Sequence, residues 1–304
     1  MTGFLNRRQI LWSGWVIAAL LLLTMAEPIV YGIVVPLSAL MLALIPGSVP
    51  HGGGSRGGSV DRRDLAVIAA FYVCIVALYR LAFGYFTVNS VVGLFLCFAG
   101  GMVLGVVGPV VYTVWVRGRS LRTLGFSAAN WRQAVLLGLL FAALQFSITL
   151  FGLDLPADPV DWVPLLVMSL TVGLFEAVFF RGFVQTRLEA SFGPVAGVGG
   201  AAAMYALYHV GYGMQPAEII FLFGLGVVYA IAFGIVHNLL VLWPLLTPLG
   251  GFFATVTAQS FELPWMSILG FLDVLAVMIV AVALAMRHER RDATRGQPAQ
   301  ATGR

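Results

Sequence analysis

Residues 173–182, with the sequence GLFEAVFFRG, place a glutamate and an arginine inside a strongly apolar part of the chain. A second polar stretch, YALYH at residues 205–209, lies in equally apolar surroundings. An ionisable side chain in a membrane interior is costly unless it is paired or used for function. Glu176, Arg181 and His209 are therefore candidate functional residues.

The spacing of these stretches predicts that two helices bring Glu176 and His209 to the same depth. The sequence SFGP at residues 191–194 is a turn signal, and the midpoint between Glu176 and His209 falls within it. Each residue is then about 16 positions, or roughly 25 Å of helix, from the turn. Tyr205 and His209 are four positions apart and share a helix face.

The composition is that of a polytopic membrane protein. The 304 residues are 60% hydrophobic and only 10% charged, with a mean hydropathy of +0.96. All 17 basic residues are arginines. The basic pI of about 9.3 would fit a nucleic-acid-binding protein, but the arginines lie in short loops between apolar spans, and membrane topology explains them better. We expect no nucleic-acid partner.

The sequence predicts an all-α transmembrane bundle of about ten spans in the plasma membrane. Basic loops alternate with loops that are acidic or nearly uncharged, so both termini are predicted to be cytoplasmic. The first apolar run lacks a convincing cleavage site and is interpreted as an uncleaved helix. The predicted spans are residues 9–25, 28–46, 65–86, 90–116, 132–152, 162–184, 194–211, 216–237, 239–258 and 264–286.

Three regions follow from this pattern. Residues 1–63 form a helical hairpin followed by a glycine-rich cytoplasmic linker, residues 64–286 form the transmembrane core, and residues 287–304 form a disordered cytoplasmic tail. Cys74 and Cys97 lie inside apolar spans, so a disulfide or a cysteine metal site is not expected.

Each candidate residue has a catalytic and a structural interpretation. Glu176 would be a general base, a metal ligand, or a structural carboxylate paired with a buried cation. His209 would be a ligand, an acid–base group, or a buried core residue. Arg181 lies five positions after Glu176, so on a straight helix the two side chains do not share a face, and Arg181 is expected to reach carbonyls or headgroups near the cytoplasmic side in a structural role.

Two further ionisable residues have weaker functional interpretations. Asp273 lies in the last predicted span, where it would be an additional ligand or a structural partner of Arg80. His237 is expected at the cytoplasmic end of its span, far from His209, and is a poor co-ligand.

The two polar stretches resemble the first two motifs of the CPBP intramembrane proteases, which include the Rce1-type CAAX prenyl endopeptidases. The family patterns are Glu-Glu-x-x-x-Arg, Phe-x-x-x-His and His-x-x-x-Asn or Asp. The resemblance covers about residues 120–260 and includes the LGF sequence at residues 124–126. It implies that Glu176 activates a water together with His209, with or without zinc, and that Arg181 belongs to the catalytic motif.

This chain departs from each of the three family patterns. Ala177 replaces the second glutamate, and Tyr205 replaces the phenylalanine of the second motif. The histidine of the third motif is expected near Pro248 or Leu249, where the chain has no histidine, and no asparagine follows. A catalytic zinc site normally has three protein ligands, and Glu176 and His209 supply two.

The resemblance predicts an intramembrane endopeptidase that cleaves a membrane-associated peptide or protein. The alternative is a catalytically inactive member of the same fold that acts as a membrane scaffold or immunity protein. A proton-linked transporter that uses Glu176 and Asp273 is the third class, and the chain lacks the paired halves with broken helices expected of it.

Overall fold

The computed structural model describes residues 60–86, 90–150, 162–248 and 265–295. All regular secondary structure within these ranges is helical, which confirms the predicted fold class. Short 3₁₀ turns at Leu121–Leu124, His209–Tyr212 and Leu239–Val241 connect the longer elements. The longer elements are the helices α1 (Arg62–Gly84), α2 (Val91–Val116), α3 (Trp131–Leu150), α4 (Trp162–Phe192), α5 (Pro194–Tyr208), α6 (Pro216–Val236) and α7 (Ser267–Arg295).

Five of these helices, α1, α2, α4, α6 and α7, are long and apolar enough to span a membrane. The predicted spans 132–152 and 194–211 correspond to α3 and α5. Two predicted spans, 9–25 and 28–46, lie outside the described residues, and so do residues 249–258 of the span predicted at 239–258. The predicted N-terminal hairpin and most of the linker also lie outside them. The count of ten spans therefore remains a prediction.

Helices α2 and α4 contain stretches of π-helix. In α2 these are Phe95–Met102 and Tyr112–Val116, and in α4 the stretch is Ala177–Gln185, immediately after Glu176. A π-helix forms hydrogen bonds between residues five positions apart, whereas an α-helix uses four, so the side chains rotate less per residue. The face on which each residue lies therefore shifts along α4 after Glu176.

Glycines on α2 allow it to pack closely against α1 and α4. A Cβ atom on Gly105 would lie 2.2 Å from the ring of Phe175 on α4, and one on Gly101 would lie 2.8 Å from the ring of Tyr79 on α1. Small residues at helix contacts let backbones approach in the way that membrane bundles require. Both aromatic rings are fully buried at this contact.

The turn between α4 and α5 lies where the sequence predicts it. Gly193 ends α4 with a φ of 90°, in a region that favours glycine, and Pro194 begins α5. Gly197 then packs against Glu189, where a Cβ atom would lie 2.2 Å from the glutamate Cγ. The two helices therefore form a close antiparallel hairpin.

A buried carboxylate joins the beginning of α1 to the ends of α2 and α4. Asp64 is 3% exposed and accepts hydrogen bonds from the Tyr112 hydroxyl and from Arg119, both at 2.7 Å. The Nε atom of Arg187, also 3% exposed, lies 4.0 Å from Asp64. Asp61 caps α1 and pairs with Arg117.

The end of α7 is attached to the same part of the molecule. Glu289 accepts a 2.5 Å hydrogen bond from the backbone N–H of Leu121, and His288 stacks on Trp115 with ring centroids 5.4 Å apart. The arginine pattern assigns the helix ends joined by these contacts to one side of the membrane, and the structure places them next to each other. The assignment of that side to the cytoplasm remains a prediction.

The predicted boundary of the disordered tail is wrong. Helix α7 continues through the charged sequence after Met286 as far as Arg295. His288 and Asp292 form an ion pair one turn apart, with a distance of 3.3 Å, and such pairs favour continued helix. Residues 296–304 lie outside the described residues.

Candidate active site

Glu176 lies at the junction between the α-helical and π-helical parts of α4. It is 9% exposed, and its neighbours along the helix from Phe175 to Gln185 are buried. The hydroxyl of Tyr208 on α5 donates a 2.5 Å hydrogen bond to Glu176 Oε1. The carboxylate is therefore buried, hydrogen-bonded and directed towards the α4–α5 contact.

The side chain of His209 is oriented by the end of α5. The helix gives way to a 3₁₀ turn at this residue, and the His209 backbone N–H bonds to the carbonyls of Ala206 and Leu207. The carbonyl of Tyr205 instead lies 2.9 Å from the imidazole Nδ1. A proton on Nδ1 donates to this carbonyl and leaves Nε2 as an acceptor. The local helix geometry thus fixes the orientation of the imidazole and, through this contact, its tautomer.

Tyr208 links the two candidate residues. Its hydroxyl contacts Glu176, and its ring centroid lies 4.1 Å from that of His209. The predicted hairpin therefore brings both residues to one contact between α4 and α5. Sequence reasoning missed Tyr208, because it follows Tyr205 by only three positions and appears as another apolar aromatic residue. Its place immediately before His209 was the available signal.

The expectation that Arg181 and Glu176 lie on different faces assumed a straight α-helix, and the structure corrects that assumption. Residues 177–185 are π-helical, so a separation of five positions is close to one full turn. No ion pair within 4.0 Å joins Arg181 to Glu176.

The Arg181 side chain is almost completely buried next to the second motif. It is 2% exposed, its guanidinium carbon lies 5.1 Å from the centre of the Tyr205 ring, and its Nη1 atom has no hydrogen-bond partner in the described part of the chain. A buried cation without full pairing is costly, and the burial of this side chain does not fit the expected contact with lipid headgroups.

The position of the third family motif lies against α4, one turn before Glu176. A Cβ atom on Gly173 would lie 2.8 Å from Pro248 and 2.9 Å from the Thr247 hydroxyl. The preceding segment is attached to α4 by a 2.8 Å hydrogen bond from the Trp243 indole to the Leu170 carbonyl. The chain therefore reaches the site here and presents threonine and proline, where the family pattern has histidine.

The described residues do not fit a catalytic zinc site. They contain no cluster of three or more histidine, cysteine, aspartate or glutamate residues. Glu176 Oε1 is bound by Tyr208, and His209 Nδ1 is directed to a backbone carbonyl. Because catalytic zinc normally has three protein ligands, these two residues do not by themselves form the site.

Asp273, Arg80 and His237 do not take part in the contacts of Glu176 and His209 described above. Asp273 and Arg80 are both exposed, and no ion pair joins them. His237 ends α6 with a φ of 49° and stacks on Phe233 with ring centroids 5.1 Å apart, which is the structural role expected at a helix end. Cys74 and Cys97 are free cysteines, and Cys74 is exposed whereas Cys97 is buried.

The site is thus a buried glutamate and a buried histidine held at the contact between helices α4 and α5. Residues 158–245 match the family model described as type II CAAX prenyl endopeptidase Rce1-like. The resemblance inferred from the motifs is confirmed over this region, which contains Glu176, Arg181 and His209. No curated protein and no solved structure is significantly similar to the chain.

Proposed function

We propose that this protein is a multi-pass intramembrane endopeptidase of the CAAX-protease type. Its substrate is a membrane-associated peptide or protein, cleaved near its C-terminal end, and its location is the plasma membrane. The observation that carries the proposal is the buried Glu176 carboxylate, linked through Tyr208 to His209 within the Rce1-like region.

In the proposed reaction, Glu176 removes a proton from a water molecule whose oxygen attacks the scissile carbonyl carbon. A carboxylate in apolar surroundings is suited to this role because few solvent molecules compete for its hydrogen bonds. The Nε2 atom of His209 accepts a hydrogen bond from the water and orients it. When the carbon–nitrogen bond breaks, the proton held by Glu176 passes to the leaving amine.

Arg181 contributes electrostatically to the same reaction. Negative charge develops on the carbonyl oxygen as water attacks, and a fixed cation in a region of low dielectric constant stabilises that charge. Burial of the guanidinium and the unpaired Nη1 atom support this assignment. Zinc would require a ligand beyond Glu176 and His209, so no step is assigned to a metal.

The test is cleavage of an internally quenched peptide with a farnesylated C-terminal Cys-aliphatic-aliphatic-X sequence, by purified protein in proteoliposomes. We expect cleavage by the wild type and loss of cleavage in Glu176→Gln and His209→Gln. Glu189→Gln is the matched control, because it makes the same chemical change on the same helix. His237→Ala is expected to remain active.

The result also separates the protease from the inactive scaffold. An inactive wild type, or a Glu176→Gln variant that cleaves as fast as Glu189→Gln, contradicts the proposal. Circular dichroism and gel filtration of each variant establish that a loss of cleavage is not a loss of folding.

A further inference from the structure

Tyr208 is placed as a fixed hydrogen-bond donor to Glu176. It is fully buried, with 0% of its surface exposed, whereas Glu176 retains 9%. The 2.5 Å bond from its hydroxyl joins Oε1 of the carboxylate across the α4–α5 contact. A buried tyrosine hydroxyl normally requires a polar partner, and here that partner is the proposed general base.

Three aromatic rings, two on α4 and one on α1, hold the Tyr208 ring in place. Its centroid lies 4.9 Å from that of Phe180, 5.7 Å from Tyr79 and 6.0 Å from Phe175. Two of these contacts are edge-on, a favourable geometry for aromatic pairs. The position of the hydroxyl is therefore set by the packing of the bundle.

A carboxylate fixed through one oxygen has fewer orientations available than a free one. Glu176 has several rotatable bonds, and no salt bridge within 4.0 Å holds it among the described residues. The bond from Tyr208 restricts this freedom and leaves the second carboxylate oxygen for water. Preorganisation of this kind contributes to catalysis because the entropy of orienting the group has already been lost.

We propose that Tyr208 is a positioning residue for the Glu176 carboxylate. It acts through Glu176 and does not contact the reacting atoms. This inference rests on the proposed protease function and adds a residue that the family motifs quoted above do not contain.

Tyr208→Phe tests the inference, because it removes the hydroxyl and keeps the ring. On the farnesylated quenched peptide we expect kcat to fall about 10- to 100-fold, with KM changed by less than about twofold. Tyr112→Phe is the matched control, since its hydroxyl donates to the buried carboxylate of Asp64 at 2.7 Å, in the cluster at the helix ends. This control is expected to retain the wild-type kcat.

A stability measurement tests the hydrogen bond without substrate. The changes in unfolding free energy for Tyr208→Phe, Glu176→Leu and the double variant should be non-additive, because leucine removes the acceptor that glutamine would retain, whereas Tyr112→Phe combined with Glu176→Leu should be additive. Additive changes for the first pair would overturn the inference.

The kinetic outcomes distinguish the two proposals. Cleavage by the wild type with an unchanged kcat in Tyr208→Phe would overturn the role of Tyr208 and leave the protease proposal intact. Absence of cleavage by the wild type would overturn the protease proposal and, with it, this inference.

Discussion

Replacement of Asp64 by asparagine should be among the most destabilising polar substitutions in the protein. Asparagine keeps the size of the side chain but removes the charge that faces Arg119 at 2.7 Å and Arg187 at 4.0 Å. Arg187 is 3% exposed, so its charge would remain buried without its partner. Breaking a buried pair in this way costs about 3–5 kcal/mol.

Asp61→Asn provides the matched control. The Asp61 side chain is 30% exposed, and its pairs with Arg117 and Arg119 are screened by solvent. Exposed pairs contribute about 0–1 kcal/mol, and asparagine caps a helix as well as aspartate does. We therefore expect a change in unfolding free energy of less than about 1 kcal/mol.

The assay is equilibrium unfolding of the purified protein in mixed detergent micelles, followed by tryptophan fluorescence. The two variants should differ by about 2 kcal/mol or more, with Asp64→Asn the less stable. Equal midpoints for the two variants would refute the inference that a buried cluster joins α1, α2 and α4.

Two further predictions concern packing and topology. Gly182→Ala should destabilise the protein by about 1–3 kcal/mol in a thermal unfolding assay, because the added Cβ atom would lie 2.4 Å from the Leu124 carbonyl oxygen. Gly199→Ala is the control and should be neutral or stabilising, because a Cβ atom there has no neighbour within 4 Å. Single cysteines at Arg122 and Met214 should react with an impermeant maleimide from opposite sides of the membrane, and labelling of both from one side would contradict the topology.

The hairpin could be predicted because its signals are local. Gly193 and Pro194 mark the turn, and equal distances along the chain place Glu176 and His209 at one level. Hydropathy likewise predicted α1, α2 and α6 within about three residues at each end, whereas α4 continues eight residues beyond its predicted end at residue 184.

Features that depend on helix type or on distant contacts could not be predicted in this way. The position of Arg181 relative to Glu176 depends on the π-helix at residues 177–185, and neither hydropathy nor residue spacing indicates where an α-helix changes to a π-helix. The Asp64 cluster joins residues more than 40 positions apart, and nothing near Asp64 in the sequence identifies Tyr112 or Arg187 as its partners.

The most direct test of the central claim is the ratio of kcat between Glu189→Gln and Glu176→Gln on the farnesylated quenched peptide. Both variants exchange one glutamate for glutamine on α4, but only one removes the proposed base. A general base contributes about 10²- to 10⁴-fold to the rate, so we predict a ratio within that range. A ratio close to one, with both variants folded and active, would contradict the assignment of Glu176 as the base.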